Sequence, residues 1–378
     1  MKTIEKKQAT LFLFTVALLL SFALVFPTSG AEYTPQQQQT IAKLKQQMTG
    51  MRSFDCPTSE RVGFPRVVIA MLDDIDPLLV GKNVVFGDRW LEYIGEGKPI
   101  SRSQFAEFVN KMDRVHDAFA DLVGNNATSG RKIFIDISYK QEETDHGLVA
   151  AHAHVMRDII CMVAPKENFW IEVTKHGSWS VTLLHEMGHM FAPPTIGWRA
   201  NAESLANLKV AYALETLNAQ FGSPGINARG TRTRGTQFRG NQYRMYEYNT
   251  AMQKFRRNEM TSFANCSCQT GSVFDFYIYG LVDKVGWETY KKAFHSYQDP
   301  TFVSEFVYSG ERLNIQARDF IDRLVHFSGK PDVLSSLPDG GKLLDEHFPV
   351  TVRKLSSEEM RRIQQRQQQM QQRRQRVR

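Results

Sequence analysis

Residues 181–191 read Val-Thr-Leu-Leu-His-Glu-Met-Gly-His-Met-Phe. The apolar residues recur at helical spacing, and on a helix His185 and His189 lie one turn apart on the same face. Both imidazoles can therefore reach one zinc ion, and Glu186 between them is placed to accept a proton from water. The segment predicts half of a metallohydrolase site. The alternative is a buried helix whose histidines are satisfied by hydrogen bonds and whose glutamate is ion-paired.

A catalytic zinc ion takes three protein ligands and keeps one position open, so the motif requires a third ligand. The metzincin continuation of this motif would place Gly at position 192 and His at position 195. The chain has Ala192 and Thr195 instead, which excludes that class.

Two glutamates that follow the motif, Glu203 and Glu215, compete for the third position. Glu203 opens a predicted helix that runs from Ala202 to about Gln220, and it can face the first helix across the Pro-Pro turn at 193–194. Glu215 lies near the far end of the same helix and is predicted to be a solvated charge. The spacing therefore favours Glu203.

The predicted site holds one Zn²⁺ per chain. Its ligands are His185, His189 and Glu203, and Glu186 is the general base that takes a proton from water and passes it to the leaving amine. Asn207, one turn after Glu203, is predicted to orient that ligand, and a surface amide is the equally weighted alternative.

A second pair of histidines, His152 and His154, stands two residues apart in a segment with a helical pattern. On a helix their side chains would diverge. We therefore expect no second metal site there.

The charge of the chain is concentrated at its two ends. The formal net charge is +7 over 378 residues, of which 42% are hydrophobic, enough for a large core. Residues 361–378 hold seven arginines and no acid, and residues 1–31 have a net charge of +2. Residues 32–360 therefore have a net charge of −2. A nearly neutral body does not support a basic groove, so we expect no nucleic-acid partner.

The N-terminal residues have the pattern of a secretory signal. Three lysines precede an apolar run from Leu11 to Phe26, and small residues end at Ala31, where cleavage is expected. An uncleaved anchor helix is the alternative, although the run is shorter than a bilayer span. We predict a secreted protein, extracellular or periplasmic, with no transmembrane anchor in its mature form.

Export makes the four cysteines candidates for disulfides. Cys266 and Cys268 are too close to pair comfortably with each other, so bridges to Cys56 and Cys161 are expected. A cysteine-based zinc site is the alternative, and it lacks a second paired motif.

The body has the pattern of an α+β protein. Lys132 to Ile137 is predicted to be a buried strand, and Arg102 to Val123 an amphipathic helix capped by Ser101 or Ser103. Glycines and arginines between Gly222 and Gly240 predict a long exposed loop. Further helices are expected over Tyr246–Arg257, Val273–Val285, Trp287–Tyr297 and Ala317–Phe327.

These patterns divide the chain into six segments. They are a signal peptide (1–31), a Gln-rich linker or helix (32–59), an α+β subdomain with the zinc site (60–221), a Gly/Arg-rich loop (222–245), a helical C-terminal subdomain (246–352) and a Gln/Arg-rich tail (353–378).

The tail consists mostly of Gln and Arg. Ser356 and Glu359 are spaced as a capping box, and the few apolar residues recur at helical spacing, so a solvated helix is predicted. Clustered arginines attract negative charge, and we expect this tail to contact polyanions.

The surroundings of the histidine motif match a known pattern. Trp179 precedes the motif, and Trp198 is followed by four residues, then Glu203, with Asn207 one turn later. Together with His-Glu-Met-Gly-His, this resembles the M60-like peptidases, which include the viral enhancins and bacterial mucin-degrading O-glycopeptidases. A weaker likeness further along the chain extends the resemblance to about residues 60–350.

The resemblance implies a zincin-type catalytic domain, with an HExxH helix and a second helix that bears Glu203, followed by a helical C-terminal subdomain. It implies a zinc endopeptidase of the gluzincin type that hydrolyses extracellular proteins, including O-glycosylated, mucin-like ones, and in which Trp198 contacts the sugar. The family often has Thr-Asn-Asn after the glutamate, whereas this chain keeps only Asn207. The alternative is a non-catalytic secreted protein that binds a glycan or peptide.

Overall fold

The computed structural model of the chain describes residues 76–124, 132–138, 143–144, 147–148, 151–154, 159–163, 165, 169–170, 173–174, 179–191, 202–226, 232–264, 271–299 and 301–377. All of them belong to one compact unit, Asp76–Arg378. Several predictions fall outside the described residues: the signal peptide, the Gln-rich segment 32–59, Trp198, Cys56, Cys266 and Cys268. The subdomain boundaries within the unit stay predictions.

A four-stranded sheet lies in the N-terminal part of the unit. In chain order the elements of this part are β1 (Val84–Phe86), helix α1 (Arg102–Val123), β2 (Ile133–Ser138), the two-stranded pair β3 (Glu143–Thr144) and β4 (Gly147–Leu148), β5 (Ala151–His154) and β6 (Ile159–Val163). The sheet order is β1-β2-β6-β5; β1, β2 and β6 are parallel, and β5 is antiparallel to β6. The mixture of helix and strand agrees with the α+β prediction, and the buried strand predicted at 132–137 is confirmed as β2.

Helix α1 forms where its sequence predicted it. Ser101 caps the helix, since its hydroxyl accepts from the backbone N–H of Gln104 while the Gln104 side chain accepts from the N–H of Ser101. Gly124 ends the helix with φ of 80°, a left-handed conformation that favours glycine. The apolar face of α1 is buried.

The segment with His152 and His154 is a strand, so the helical prediction there is wrong. Ala151–His154 pairs with β6 in antiparallel register, with His152 opposite Cys161. Pairing with a neighbouring strand outweighs a helical pattern in so short a segment. Cys161 is buried and disulfide-bonded, as predicted, and its partner lies outside the described residues.

The next elements carry the candidate site. They are β7 (Trp179–Ser180), α2 (Val181–Met190), α3 (Ala202–Thr216), β8 (Gln220–Ile226) and β9 (Arg232–Arg239). Strands β7, β8 and β9 form a sheet in that order, which ties the start of α2 to the segment after α3.

The long loop predicted over 222–245 is wrong, because β8 and β9 pair as an antiparallel hairpin and a helix begins at Gln242. The register of the hairpin shifts between Ser223 and Gly225. Pro224 lies at this shift, where a residue without an N–H is tolerated. The glycines and the proline mark an irregular hairpin rather than a loop.

Helix α3 is buried on all sides. Every residue from Ser204 to Leu214 is buried, including the polar Asn207 and Lys209. A helix that is apolar around its whole circumference packs inside a domain rather than on its surface. Neighbours of α3 include α1, α2 and two of the C-terminal helices, α4 (Gln242–Arg257) and α5 (Val273–Gly280).

The C-terminal third is mostly helical, as predicted. After α5 follow α6 (Val282–Val285), α7 (Trp287–Ser296), β10 (Phe306–Gly310), α8 (Arg312–Ser328), α9 (Lys342–His347), β11 (Val350–Lys354) and α10 (Ser357–Val377). The single helix expected over Val273–Val285 is divided into α5 and α6. Strands β10 and β11 form an antiparallel pair that no sequence pattern predicted.

The capping box predicted for the tail is confirmed. The Ser356 hydroxyl accepts from the backbone N–H of Glu359, and the Glu359 carboxylate accepts from the N–H of Ser356. This cap begins α10. None of the described helices combines the length and apolar character needed to cross a membrane.

Candidate metal centre

Two histidines from α2 and one glutamate from α3 meet at one point. His185 and His189 approach each other with their Nε2 atoms 3.0 Å apart. Glu203 Oε2 lies 3.0 Å from His185 Nε2, and Glu203 Oε1 lies 3.6 Å from His189 Nε2. Among the described residues, this is the group of three or more His, Cys, Asp and Glu side chains whose donor atoms converge closely enough for a metal ion.

The spacing of these donor atoms fits zinc. Ligands at 2.0–2.1 Å from a tetrahedral ion stand about 3.3 Å apart, and the three observed separations lie close to that value. Two imidazole nitrogens and one carboxylate are a donor set of catalytic zinc, which keeps a fourth position open. Glu203 is the most exposed of the three side chains, so the group is reached from solvent on the Glu203 side.

Asn207 fixes the orientation of His185. Its Oδ1 lies 2.7 Å from His185 Nδ1, and because an amide oxygen only accepts, the ring nitrogen donates. The hydrogen therefore resides on Nδ1, and the Nε2 lone pair is directed toward Glu203 and His189. Asn207 is buried, so the surface-amide alternative is wrong. The ligand that its Oδ1 contacts is His185, whereas the sequence predicted Glu203.

A close contact between helices sets the distance from the histidines to Glu203. A Cβ atom built on Gly188 would lie 2.9 Å from the carbonyl oxygen of Ala206 and 3.0 Å from its Cα. Only glycine permits this approach. Gly188 is thus part of the site, although it carries no side chain.

Glu186 lies beside the three converging side chains and is buried. The backbone N–H of Ala153 in β5 donates to its carboxylate, which ties the site to the sheet. In the metal-free protein, burial raises the pKa of Glu186 to about 7.

The two histidines differ in their protonation. Burial lowers the pKa of His189 to about 3, and the nearby His185 adds to this effect. Burial opposes the charge on His185 too, but the carboxylates of Glu203 and Glu186 outweigh it and raise the pKa of that ring. His189 is therefore neutral at physiological pH, the form in which imidazole binds a metal.

A family model of known proteins matches this region. The model of peptidase M60, enhancin and enhancin-like, matches residues 97–311, a range that includes both helices of the site and more than half of the chain. The chain belongs to the peptidase M60 family. Membership indicates a metallopeptidase that acts on glycoproteins. The matched range is narrower than the 60–350 expected from the sequence. No curated protein and no solved structure matches the chain.

Glu215, the rival for the third ligand position, lies in a different environment. Its carboxylate pairs with Arg244 at 2.7 Å and accepts from the indole N–H of Trp287 at 3.0 Å. Its side chain is largely buried, so its prediction as a solvated charge is wrong. In this M60 protein, Glu215 holds α3 against α4 and α7.

Lys209 is a feature of the site region that the sequence patterns did not single out. It is 3% exposed, and no described residue forms a hydrogen bond or ion pair with it. Its charge contributes to the low pKa of His189, so it lies near that ring. The signal in the sequence is a lone cation in a helix whose other neighbours, from Leu205 to Leu214, are mostly apolar.

We predict that Lys209→Met raises the stability of the protein at pH 7. Burial lowers the pKa of Lys209 from 10.5 to about 7. Between these values the folded state binds fewer protons than the unfolded state, so this lysine makes stability fall as the pH decreases from about 10 to 7. Met has a similar volume and no charge, and it should add on the order of 2–4 kcal/mol to the free energy of unfolding at pH 7.

Urea denaturation of the metal-free protein at pH 7 and pH 9 measures both effects. The wild type should gain more stability between these pH values than Lys209→Met does. Lys209→Arg, which keeps a permanent charge, should be less stable than the wild type at both. If Lys209→Met is less stable than the wild type and the stability of both proteins changes equally with pH, the prediction is wrong. A partner in the folded protein then stabilises the Lys209 ammonium group.

Proposed function

We propose that the chain is a secreted zinc endopeptidase of the gluzincin type, which hydrolyses peptide bonds in extracellular proteins that include O-glycosylated, mucin-like ones. The observation that carries the proposal is the convergence of His185, His189 and Glu203 beside Glu186 in a member of a peptidase family. In this proposal the fold is zincin-type, with α2 as the HExxH helix and α3 as the helix that bears the third ligand.

His185, His189 and Glu203 would hold one zinc ion. When bound, zinc polarises the scissile carbonyl and lowers the pKa of water from about 16 to about 7. The chain contributes the positions of the ligands, which are supported by the Gly188–Ala206 contact and by the hydrogen bond that His185 donates to Asn207. Held in this way, the ligands need no rearrangement before the reaction.

Glu186 would act as the general base and then as the general acid. Its carboxylate takes a proton from the attacking water and passes it to the nitrogen of the departing amine as the peptide bond breaks. The hydrogen bond from Ala153 N–H to this carboxylate supports the role, since it fixes the group beside the ligands.

The substrate would bind along β5. Within the described residues, β5 pairs with β6 alone, so its other edge offers backbone groups besides the Ala153 N–H, which donates to Glu186. An extended peptide can add to such an edge as a further strand. Because Ala153 of β5 contacts Glu186, a peptide on this edge passes close to the general base.

A non-catalytic glycan- or peptide-binding protein is the alternative. The residues themselves favour the enzyme, because each ligand position and the general-base position holds a residue competent for its role. A binding protein has no need to keep Glu186 between the two histidines.

For the third ligand, we predict that Glu203→Ala lowers zinc occupancy sharply, because two imidazoles alone hold zinc weakly. Glu215→Ala should keep one zinc per chain and lose on the order of 2–4 kcal/mol of stability, since it leaves the buried Arg244 short of a partner. Metal analysis after dialysis, with thermal melting of the metal-free proteins, measures both. If Glu215→Ala loses zinc and Glu203→Ala keeps it, the third ligand is Glu215 rather than Glu203.

For the activity, we predict that the wild type cleaves a peptide that carries O-linked glycans and that Glu186→Gln retains zinc but loses at least about a hundredfold in kcat. The Gln side chain keeps the size of Glu and cannot accept the proton. Mass spectrometry of the products of one peptide, in O-glycosylated and deglycosylated form, is the measurement.

The two peptide forms separate the candidate functions. Cleavage of the glycosylated form alone supports a glycan requirement, and equal cleavage of both supports an endopeptidase that ignores sugars. Binding without cleavage of either form, by a protein that contains one zinc, would support the non-catalytic alternative. Cleavage by Glu186→Gln at the wild-type rate would remove Glu186 as the base.

A further inference from the structure

Helix α10 has its acidic residues in one place only. Glu358 and Glu359 lie in the first turn, where Glu358 pairs with Arg362 and Glu359 pairs with Arg353 of β11. From Arg361 to the end of the helix at Val377 there is no further acid, and the helix carries six arginines. Over this length, about 25 Å at 1.5 Å per residue, the positive charges repel one another.

Four of the arginines share one side of the helix. At 100° per residue, Arg362, Arg366, Arg373 and Arg376 fall within about 80° of one another around the axis and span about 21 Å. We call these four residues the arginine face. Arg362 and Arg366 are exposed, and Arg362 retains 68% of its side-chain surface.

Glutamines occupy the positions between these arginines. Gln365 and Gln369 are exposed and lie on the same side of α10 by helical register. A guanidinium group binds a sulfate or carboxylate with two parallel hydrogen bonds, while a glutamine amide both donates and accepts. A surface on which arginines and glutamines alternate suits a partner that carries regularly spaced anionic groups with hydroxyl groups between them.

The composition of α10 argues against a lipid surface as the partner. A helix that lies in a membrane interface buries a wide apolar face with Trp, Phe or Leu. The apolar residues of α10 are Met360, Ile363, Met370 and Val377, and the first two are already partly buried. A nucleic acid is disfavoured by the nearly neutral charge of the body, since residues 32–360 sum to −2.

We propose that the arginine face of α10 is a docking surface for a linear anionic polysaccharide, one that carries sulfate or carboxylate groups. Binding neutralises the repulsion along the helix and holds the protein on an acidic glycan. This inference rests on the helix and its charges and does not depend on peptidase activity.

The test measures binding of the full chain to heparin, with neutral dextran as the uncharged comparison, over a series of salt concentrations. The variant R362Q/R366Q/R373Q/R376Q removes the arginine face, and Gln keeps the helix propensity. The control R256Q/R257Q/R361Q/R374Q removes the same charge, from the exposed end of α4 and from the other sides of α10. Thermal melting and circular dichroism should be equal for all three proteins.

At about 0.1 M salt we expect the face variant to bind heparin at least tenfold more weakly and the control less than threefold. The slope of log Kd against log salt should fall by roughly three for the face variant. Hydrogen exchange of the wild type should show that heparin protects the amides of residues 361–377.

Four results would overturn the proposal. They are no binding of the wild type to heparin at 0.1 M salt, equal losses in the two variants, tighter binding to duplex DNA than to heparin at equal charge concentration, and binding to phosphatidylserine vesicles that heparin does not displace. Equal losses would mean that net charge alone acts. The DNA and vesicle results would assign the surface to a nucleic acid or a membrane.

Discussion

The contact between Gly188 of α2 and the backbone of Ala206 in α3 is the constraint on which the rest of the site depends. It brings two helix axes so close that a methyl group would not fit between them. At this separation the Nε2 atoms of His185 and His189 come within 3.0 to 3.6 Å of the Glu203 carboxylate. A wider separation would leave the glutamate out of reach of a shared metal ion, and the hydrogen bond from His185 to Asn207 would be lost with it.

Helix α3 can hold this position because other elements surround it. Glu215 anchors its C-terminal end to Arg244 and Trp287, and Tyr212 donates to Asp121 of α1. The C-terminal helices therefore support the site without contributing a ligand to it. This support has an energetic cost, since α3 also buries the ammonium group of Lys209, for which no described residue provides a counter-charge.

The parts of the structure that were predictable are those with a local cause. The spacing of His185 and His189 and the cap at Ser101 follow from helix geometry alone, and the position of Glu203 at the start of its helix singled it out over Glu215. The environment of Glu215 was not predictable, because its partners Arg244 and Trp287 are remote in sequence. Strand β5 and the hairpin β8–β9 were not predictable either, because they form through pairing between strands. The contact of Ala153 with Glu186 was not predictable, because it is made by a backbone N–H, which every residue except proline carries.

The central claim is that His185, His189 and Glu203 form one zinc site. A crystal structure of the full chain grown with zinc, with diffraction data collected on both sides of the zinc absorption edge, tests it directly. We expect one anomalous peak per chain, about 2.0–2.2 Å from His185 Nε2, His189 Nε2 and a Glu203 oxygen, with a fourth position open to solvent. A site without an anomalous peak, or a peak bound by other residues while these three stay bonded to one another, would contradict the account.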